Sequence, residues 1–184
     1  MYELDLDFEY DKQKYGSSLE NSVVSRSYSG GVSIYLFEQT AIDLNYSNTS
    51  ETTTYNDRYT IATGYDVTSS HNYVDTVVYG IGIKQMLLPK QSLILPMVEL
   101  GYAKEFITYL NDVVLENTTN STSTTTQYGN SKYRIDSVSA SFILQFKLTQ
   151  SFSLKGTVKT LFPAFEFNKA KDNLKYLAGI SWIF

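Results

Sequence analysis

The chain has 184 residues, of which 18% are charged, with a net charge of −4 and a pI near 5.0. That length suits one domain, and the acidic balance argues against nucleic acid as a partner. Cysteine is absent, which excludes disulfides, thiolate metal sites and cysteine nucleophiles. No stretch approaches the roughly 18 uninterrupted apolar residues of a membrane helix. Tyr and Phe are abundant, at 16 and 10.

Tyr2 to Asp11 alternates with a period of two. Tyr2, Leu4, Leu6, Phe8 and Tyr10 point one way, and Glu3, Asp5, Asp7, Glu9 and Asp11 the other, which predicts a strand. Met1 runs straight into it with no secretory signal, so the chain is expected to be a mature form carrying a start Met. Lys12 to Asn21 reads as a polar loop. A second strand, Val23 to Phe37, carries Val24, Tyr28, Val32, Ile34 and Leu36 on the face expected to point outward, and Gly30–Gly31 suggests a bend or close packing.

After a tight turn at Glu38 to Thr40, Ile42, Leu44 and Tyr46 alternate with inward Asp43 and Asn45. Tyr55 to Arg58 reads as a hairpin tip, and Gly64 to His71 as the rest of a long loop. Tyr73 to Leu87 is the fourth strand, with Lys84 inward, and Leu88 to Gln91 a short turn. Ser92 to Tyr109 is the fifth, with Glu99 inward and a pairing gap or bulge expected at Pro96. Asn111 to Asn130 contains the low-complexity run NTTNSTSTTT and reads as a mobile loop. Within it, Val113, Val114 and Leu115 are either a hairpin strand or an exposed contact patch.

Lys132 to Leu148, the turn Thr149 to Ser151, and Phe152 to Phe162 follow, with Lys147, Lys155 and Lys159 inward. Beyond a loop at Pro163 to Asp172, Asn173 to Phe184 closes the chain. Its apolar face, Leu174, Tyr176, Ala178, Ile180, Trp182 and Phe184, becomes aromatic at the very end, and Lys175 sits on the opposite face.

Eight strands emerge, with short connections alternating with long ones. Transmembrane β-barrels have this asymmetry, an even strand number and aromatic girdles. Gly179, Trp182 and Phe184 resemble the C-terminal assembly signal of bacterial outer-membrane β-barrels, although Leu177 stands where that signal usually has a polar residue. The whole chain resembles the small eight-stranded barrels of the OmpA-transmembrane, OmpX and opacity-protein class. The resemblance implies an all-β, antiparallel up-and-down transmembrane barrel in the bacterial outer membrane. It also implies outer-membrane lipid, lipopolysaccharide and the barrel-assembly machinery as partners, and a monomer. Tyr10, Tyr28, Tyr46, Tyr102 and Tyr176 would form the outer girdle. Tyr2, Phe146, Phe152, Trp182 and Phe184 would form the inner one.

Inside such a barrel, Glu3, Asp5, Asp7, Glu9, Asp11, Asp43 and Glu99 would face Lys84, Lys147, Lys155, Lys159 and Lys175. Buried carboxylates need partners, so the first expectation is a charged plug. A narrow cation-preferring leak and a hard-cation site among the acids are the alternatives. No metal site or cofactor is assigned. His71, beside Ser69 and Ser70, would need an acid such as Asp66 or Asp75 to serve a lipid-modifying enzyme; a solvated loop histidine is the simpler expectation. Lys12, Lys14, Arg26, Arg58, Lys104, Lys132 and Arg134 are either scattered solvated charge or partners for lipid phosphates.

The function expected is that of a non-enzymatic scaffold whose Thr/Ser/Asn-rich loops serve envelope integrity, surface contact or adhesion. A small pore or a transporter of apolar molecules is the second reading. A soluble lipocalin-like barrel, apolar inside and polar outside, would reverse the observed pattern.

Overall fold

A computed structural model describes residues 1–16, 19–56, 58–164 and 174–184. Its strands are β1 (Tyr2–Tyr15), β2 (Asn21–Tyr35), β3 (Thr40–Tyr55), β4 (Tyr59–Ala62), β5 (Tyr65–Met86), β6 (Ile94–Asn117), β7 (Thr122–Lys147), β8 (Phe152–Pro163) and β9 (Leu174–Ile183). Eight of them close on themselves, each antiparallel to its neighbour: β3 pairs with β5, and β1 with β9. β4 is a short addition that, among the described residues, pairs only with the outer part of β5.

Alternation explains the closure. Leu4, Leu6, Phe8, Leu44, Ile81, Ile83, Leu100, Phe142, Leu144, Leu154, Ile180 and Trp182 all lie exposed on the outside. Glu3, Asp5, Ser33, Asp43, Lys84, Glu99, Ser141, Gln145, Lys155 and Ser181 are buried on the inside. A water-soluble barrel would invert this arrangement, whereas a barrel in lipid requires it. Closure pairs the first strand with the last from Glu3 to Phe8, so the backbone groups there are satisfied without water.

At the turn side the lumen is stopped by an apolar layer of Tyr35, Ala41, Met86, Leu95, Met97 and Ile143, with Met1 packed against it. These residues share the inward parity of the charged ones. They pack at the end where the connections are short: Leu36 and Phe37 donate to the Thr40 carbonyl, and Leu148 to that of Phe152.

The outer half departs from the sequence expectations. β1 runs on to Tyr15, where Lys12 to Tyr15 pair with Asn21 to Val24 instead of forming a loop. Gly64 to His71 is mostly the start of β5, which turns back on β4 through Gly64 at φ +86. Of the tip expected at Tyr55 to Arg58, Tyr55 ends β3 and residue 57 lies outside the described residues; the hairpin tip between β4 and β5 lies at Ala62 to Tyr65. The low-complexity run is also ordered as strand: β6 and β7 pair as far as Asn117 opposite Thr122. Their register shifts once, between Leu110 and Asn111, beside Gly129 at φ +66. Threonine is β-branched and suits a strand, so a polar Thr-rich stretch continues a ladder that is already started.

Pro96 makes no bulge. Its neighbours hold register with β7 on both sides, and on the β5 side its carbonyl accepts from Leu87 N at 2.9 Å, where that ladder ends. The loop expected at Pro163 to Asp172 lies almost wholly outside the described residues.

Candidate functional site: the charged lumen

Inward parity on five strands gathers the charges at mid-height. β1 supplies Asp5 and Asp7, β3 Asp43 and Asn45, β5 Lys84, β6 Glu99, and β8 Lys155 and Lys159. Lys84 is 1% exposed and Asp5 4%, so neither has bulk water to solvate it. Lys84 Nζ lies 2.6 Å from Asp5 Oδ2, 3.3 Å from Asp43 Oδ1, and donates to Ser33 Oγ at 2.6 Å. Ser33 in turn donates to Asp43 Oδ1 at 2.6 Å. Lys155 Nζ bridges Asp5 Oδ1 at 3.2 Å and Asp7 Oδ2 at 3.0 Å. Asn45 Nδ2 ties Asp43 Oδ2 to Glu99 Oε1, both at 3.2 Å.

One layer towards the turns, Glu3 accepts from Tyr35 Oη and, at 2.7 Å, from Ser181 Oγ, which accepts from Gln145 Nε2 at 3.1 Å. The small residues around the network are spatial requirements. A Cβ at Gly179 would collide with the Asp7 carboxylate and the Leu6 carbonyl, and one at Gly80 with the Asn45 amide. The residues at mid-height leave a void of about 40 Å³, near the space of a water molecule or two.

Four of the sequence-picked charges stand apart from this cluster. Lys147 lies at the turn-side rim, where its ammonium donates to the Lys90 carbonyl instead of meeting an acid. Asp11 is exposed and accepts from Gln13 Nε2 at 2.9 Å. Glu9 and Lys175 sit further towards the loop side than the ion pairs and form none themselves among the described residues. Parity gave each of these residues a face and left its depth open. The apolar layer is not legible in the sequence for a similar cause: Tyr35, Met86, Leu95, Met97 and Ile143 carry the inward parity, but alternation alone does not show that they share one depth.

His71 does not assemble a catalytic group. Its Nδ1 lies 3.2 Å from Thr54 Oγ1, its ring stacks on Tyr73, and it sits opposite Asp112 in the ladder. Ser70, its neighbour on the other face, bonds to Asn111 Oδ1 at 3.3 Å, and Asp66 is engaged by Arg58 and Thr60. Among the described residues no group of three or more metal-ligating side chains is placed to hold an ion.

Aromatic contacts band both rims of the apolar exterior. Phe8 with Tyr28, Tyr46 with Tyr79, and Tyr79 with Phe106 lie towards the loops. Phe152 with Trp182, and Trp182 with Phe184, lie at the turns.

A closed eight-stranded wall, apolar outside and polar within, short turns at one end and long hairpins at the other: these define the class of small outer-membrane β-barrels. No family model and no curated protein sequence matches the chain. Among solved structures it is similar to Neisserial surface protein A, with a TM-score of 0.55 and 11% identity over 100% of this chain and 97% of that one. It is also similar to Ail, the attachment invasion locus protein of Yersinia pestis, solved in complex with the heparin analogue sucrose octasulfate. There the TM-score is 0.52 and the identity 8%, over 100% of this chain and 97% of that one. At these identities the likeness is one of fold.

Proposed function

We propose that the chain is a non-enzymatic protein of the bacterial outer membrane that holds a β-sheet platform clear of the lipid for contact with a surface ligand. The observation that carries this reading is an open edge. β7 pairs with β6 out to Thr122, but with β8 only from Ser137 inward. Among the described residues, no strand covers the far side of Thr122 to Ile135, while the Asp136 carbonyl accepts from Ala164 N at 3.1 Å. An exposed edge of this kind presents unpaired backbone groups, to which an extended segment of a partner adds as a further strand. The platform is stiff, since β4, β5, β6 and β7 form one continuous sheet. Ail, a barrel of similar fold, is named for attachment and invasion, which is compatible with this use of the scaffold.

The lumen has a passive part in this reading. Its ion pairs and apolar layer seal the barrel, in preference to a cation-selective pore. Arg26, Lys104, Lys132 and Arg134 share the outward parity near the outer rim and would meet lipopolysaccharide phosphates there. The terminal strand, with Trp182 and Phe184, would address the assembly machinery, and the barrel would act as a monomer.

The test shortens the β6–β7 hairpin by deleting Asn117 to Thr126 and compares attachment of expressing cells to host cells and matrix. Heat-modifiable gel mobility and planar-bilayer conductance are read in parallel. Native mobility, reduced attachment and no unitary conductance are expected. Unchanged attachment with native mobility would remove the edge from the proposal, and steady conductance of the intact protein would favour the pore.

A further inference from the structure

On the loop side of the ion pairs the lumen widens into a cavity of about 310 Å³, which shares Ser29, Lys159 and Leu177 with the narrow mid-height void. Its lining mixes apolar Val78, Ile135, Leu161, Pro163 and Leu177 with polar groups that fall on two sides. Ser27, Ser29, Ser47, Thr49 and Thr76, from β2, β3 and β5, make one wall of hydroxyls. Facing them from β8 and β9 are Lys159 and Lys175, which are direct cross-strand partners.

Two ammonium groups directly opposite one another in a ladder repel, and such pairs destabilise a sheet unless a counter-charge sits with them. Neither lysine enters an ion pair among the described residues. The mid-height acids that could have served, Asp5, Asp7 and Asp43, are taken by Lys84 and Lys155, and Glu9, the inward acid of β1 whose field reaches Lys175, stands beyond ion-pair distance from it. Glu99 lies below Lys159 and is shared with Asn45. Glu105, on β6, is the carboxylate in the cavity lining, and it is oriented by the Ser137 hydroxyl.

We propose that this cavity binds a small hydroxylated anion: an oxyanion head between Lys159 and Lys175, and a polyol body against the hydroxyl wall. The size fits, since ligand cavities begin at about 300 Å³. Glu105 fits as well, because a hydroxyl donates to a carboxylate and a second anionic group would be repelled by it. The guest therefore carries one anionic group and several hydroxyls, the chemistry shared by sugar acids and sugar phosphates. Nothing in this assignment depends on the hairpin edge, so either proposal can fail alone.

Titration of the refolded full chain in detergent micelles, followed by calorimetry and amide NMR, tests it with gluconate, glucose 6-phosphate, glucose and inorganic phosphate. Saturable binding of gluconate or of glucose 6-phosphate is expected, and the stronger of the two tells whether the head is a carboxylate or a phosphate. Lys159→Gln and Lys175→Gln should each weaken binding about tenfold or more, the scale of one charge-assisted contact. Both variants are checked for native heat-modifiable mobility. Should either fail to fold, Ser47→Ala on the opposite wall serves, with a smaller loss expected. Glucose binding as tightly as gluconate, inorganic phosphate matching both sugar anions, or no saturable binding of any probe would overturn the proposal.

Discussion

Asp5 shows how much a single lumen residue is asked to hold. It accepts Lys84 from β5 and Lys155 from β8, strands that are not its neighbours in the wall, so it staples the barrel across its interior. Desolvating three charges is costly, and the pairing offsets that cost only while every partner is present. Lys84→Met should therefore destabilise the refolded protein by about 3–5 kcal/mol, because Asp5 and Asp43 would lose their ammonium. Adding Asp5→Asn should restore part of the loss. Urea midpoints in detergent measure both, and a neutral Lys84→Met would deny the network any role in stability. Gly179 invites a second substitution. Gly179→Ala would drive a methyl into Asp7 and the Leu6 carbonyl, at a cost of about 1–3 kcal/mol by the same measurement. The glycine of the terminal motif thus has a packing reason of its own, apart from any recognition by assembly factors.

At the scale of the element, legibility followed the solvent. Where one face meets lipid and the other the lumen, the period of two is sharp, and β1, β8 and β9 could be read residue by residue. Above the membrane both faces are wet, so no alternation is enforced. The outer parts of β5, β6 and β7 looked like loops for that reason. Nothing in NTTNSTSTTT itself distinguishes a strand from a polar coil; the order comes from pairing with β6, whose Val113 to Leu115 also pair with β5. The ion pairs that tie these hairpins together were equally hidden. Arg58 reaches Asp66 at 3.0 Å and Glu116 at 3.0 Å, and so joins the β4–β5 hairpin to β6.

The Thr60 hydroxyl, and then Arg58, hold the Asp66 carboxyl below its ordinary range. A lowered folded value means that the clasp contributes fully above the unfolded carboxyl pKa of about 3.9, and is lost as pH falls through the lower folded one. Amide shifts of Thr60 and Val67 should accordingly stay constant from neutral pH down to about 4 and move only below it. In Asp66→Asn they should be insensitive to pH throughout, and shifts that titrate unchanged in that variant would place the effect elsewhere.

For the molecule as a whole the decisive property is inversion: apolar outside, charged within. The consequence is an asymmetry between adjacent residues of one strand. Leu6→Arg should cost about 2–4 kcal/mol if it meets the bilayer midplane, as a charge on the lipid face does. Asp7→Asn, which keeps a polar group beside Lys155, should cost much less. Equal losses in lipid vesicles would contradict the facing of β1.

Closure places the first strand against the last, from Glu3 opposite Ile183 to Phe8 opposite Ala178, the shortest ladder in the wall among the described residues. This seam sets the order of folding events. Glu3 and Ser181 share a hydrogen bond across 178 positions, so the loop entropy of the entire chain must be lost before it forms. Before the seam zips, Asp5 and Asp7 belong to one end of an open ribbon and Lys155 to the other. Asp5 and Asp7 should therefore keep their water until the seam brings Lys155 to them, whereas Lys84 can meet Asp43 on the neighbouring strand without it. An unzipped ribbon would carry these polar faces open along what becomes the interior of the closed barrel.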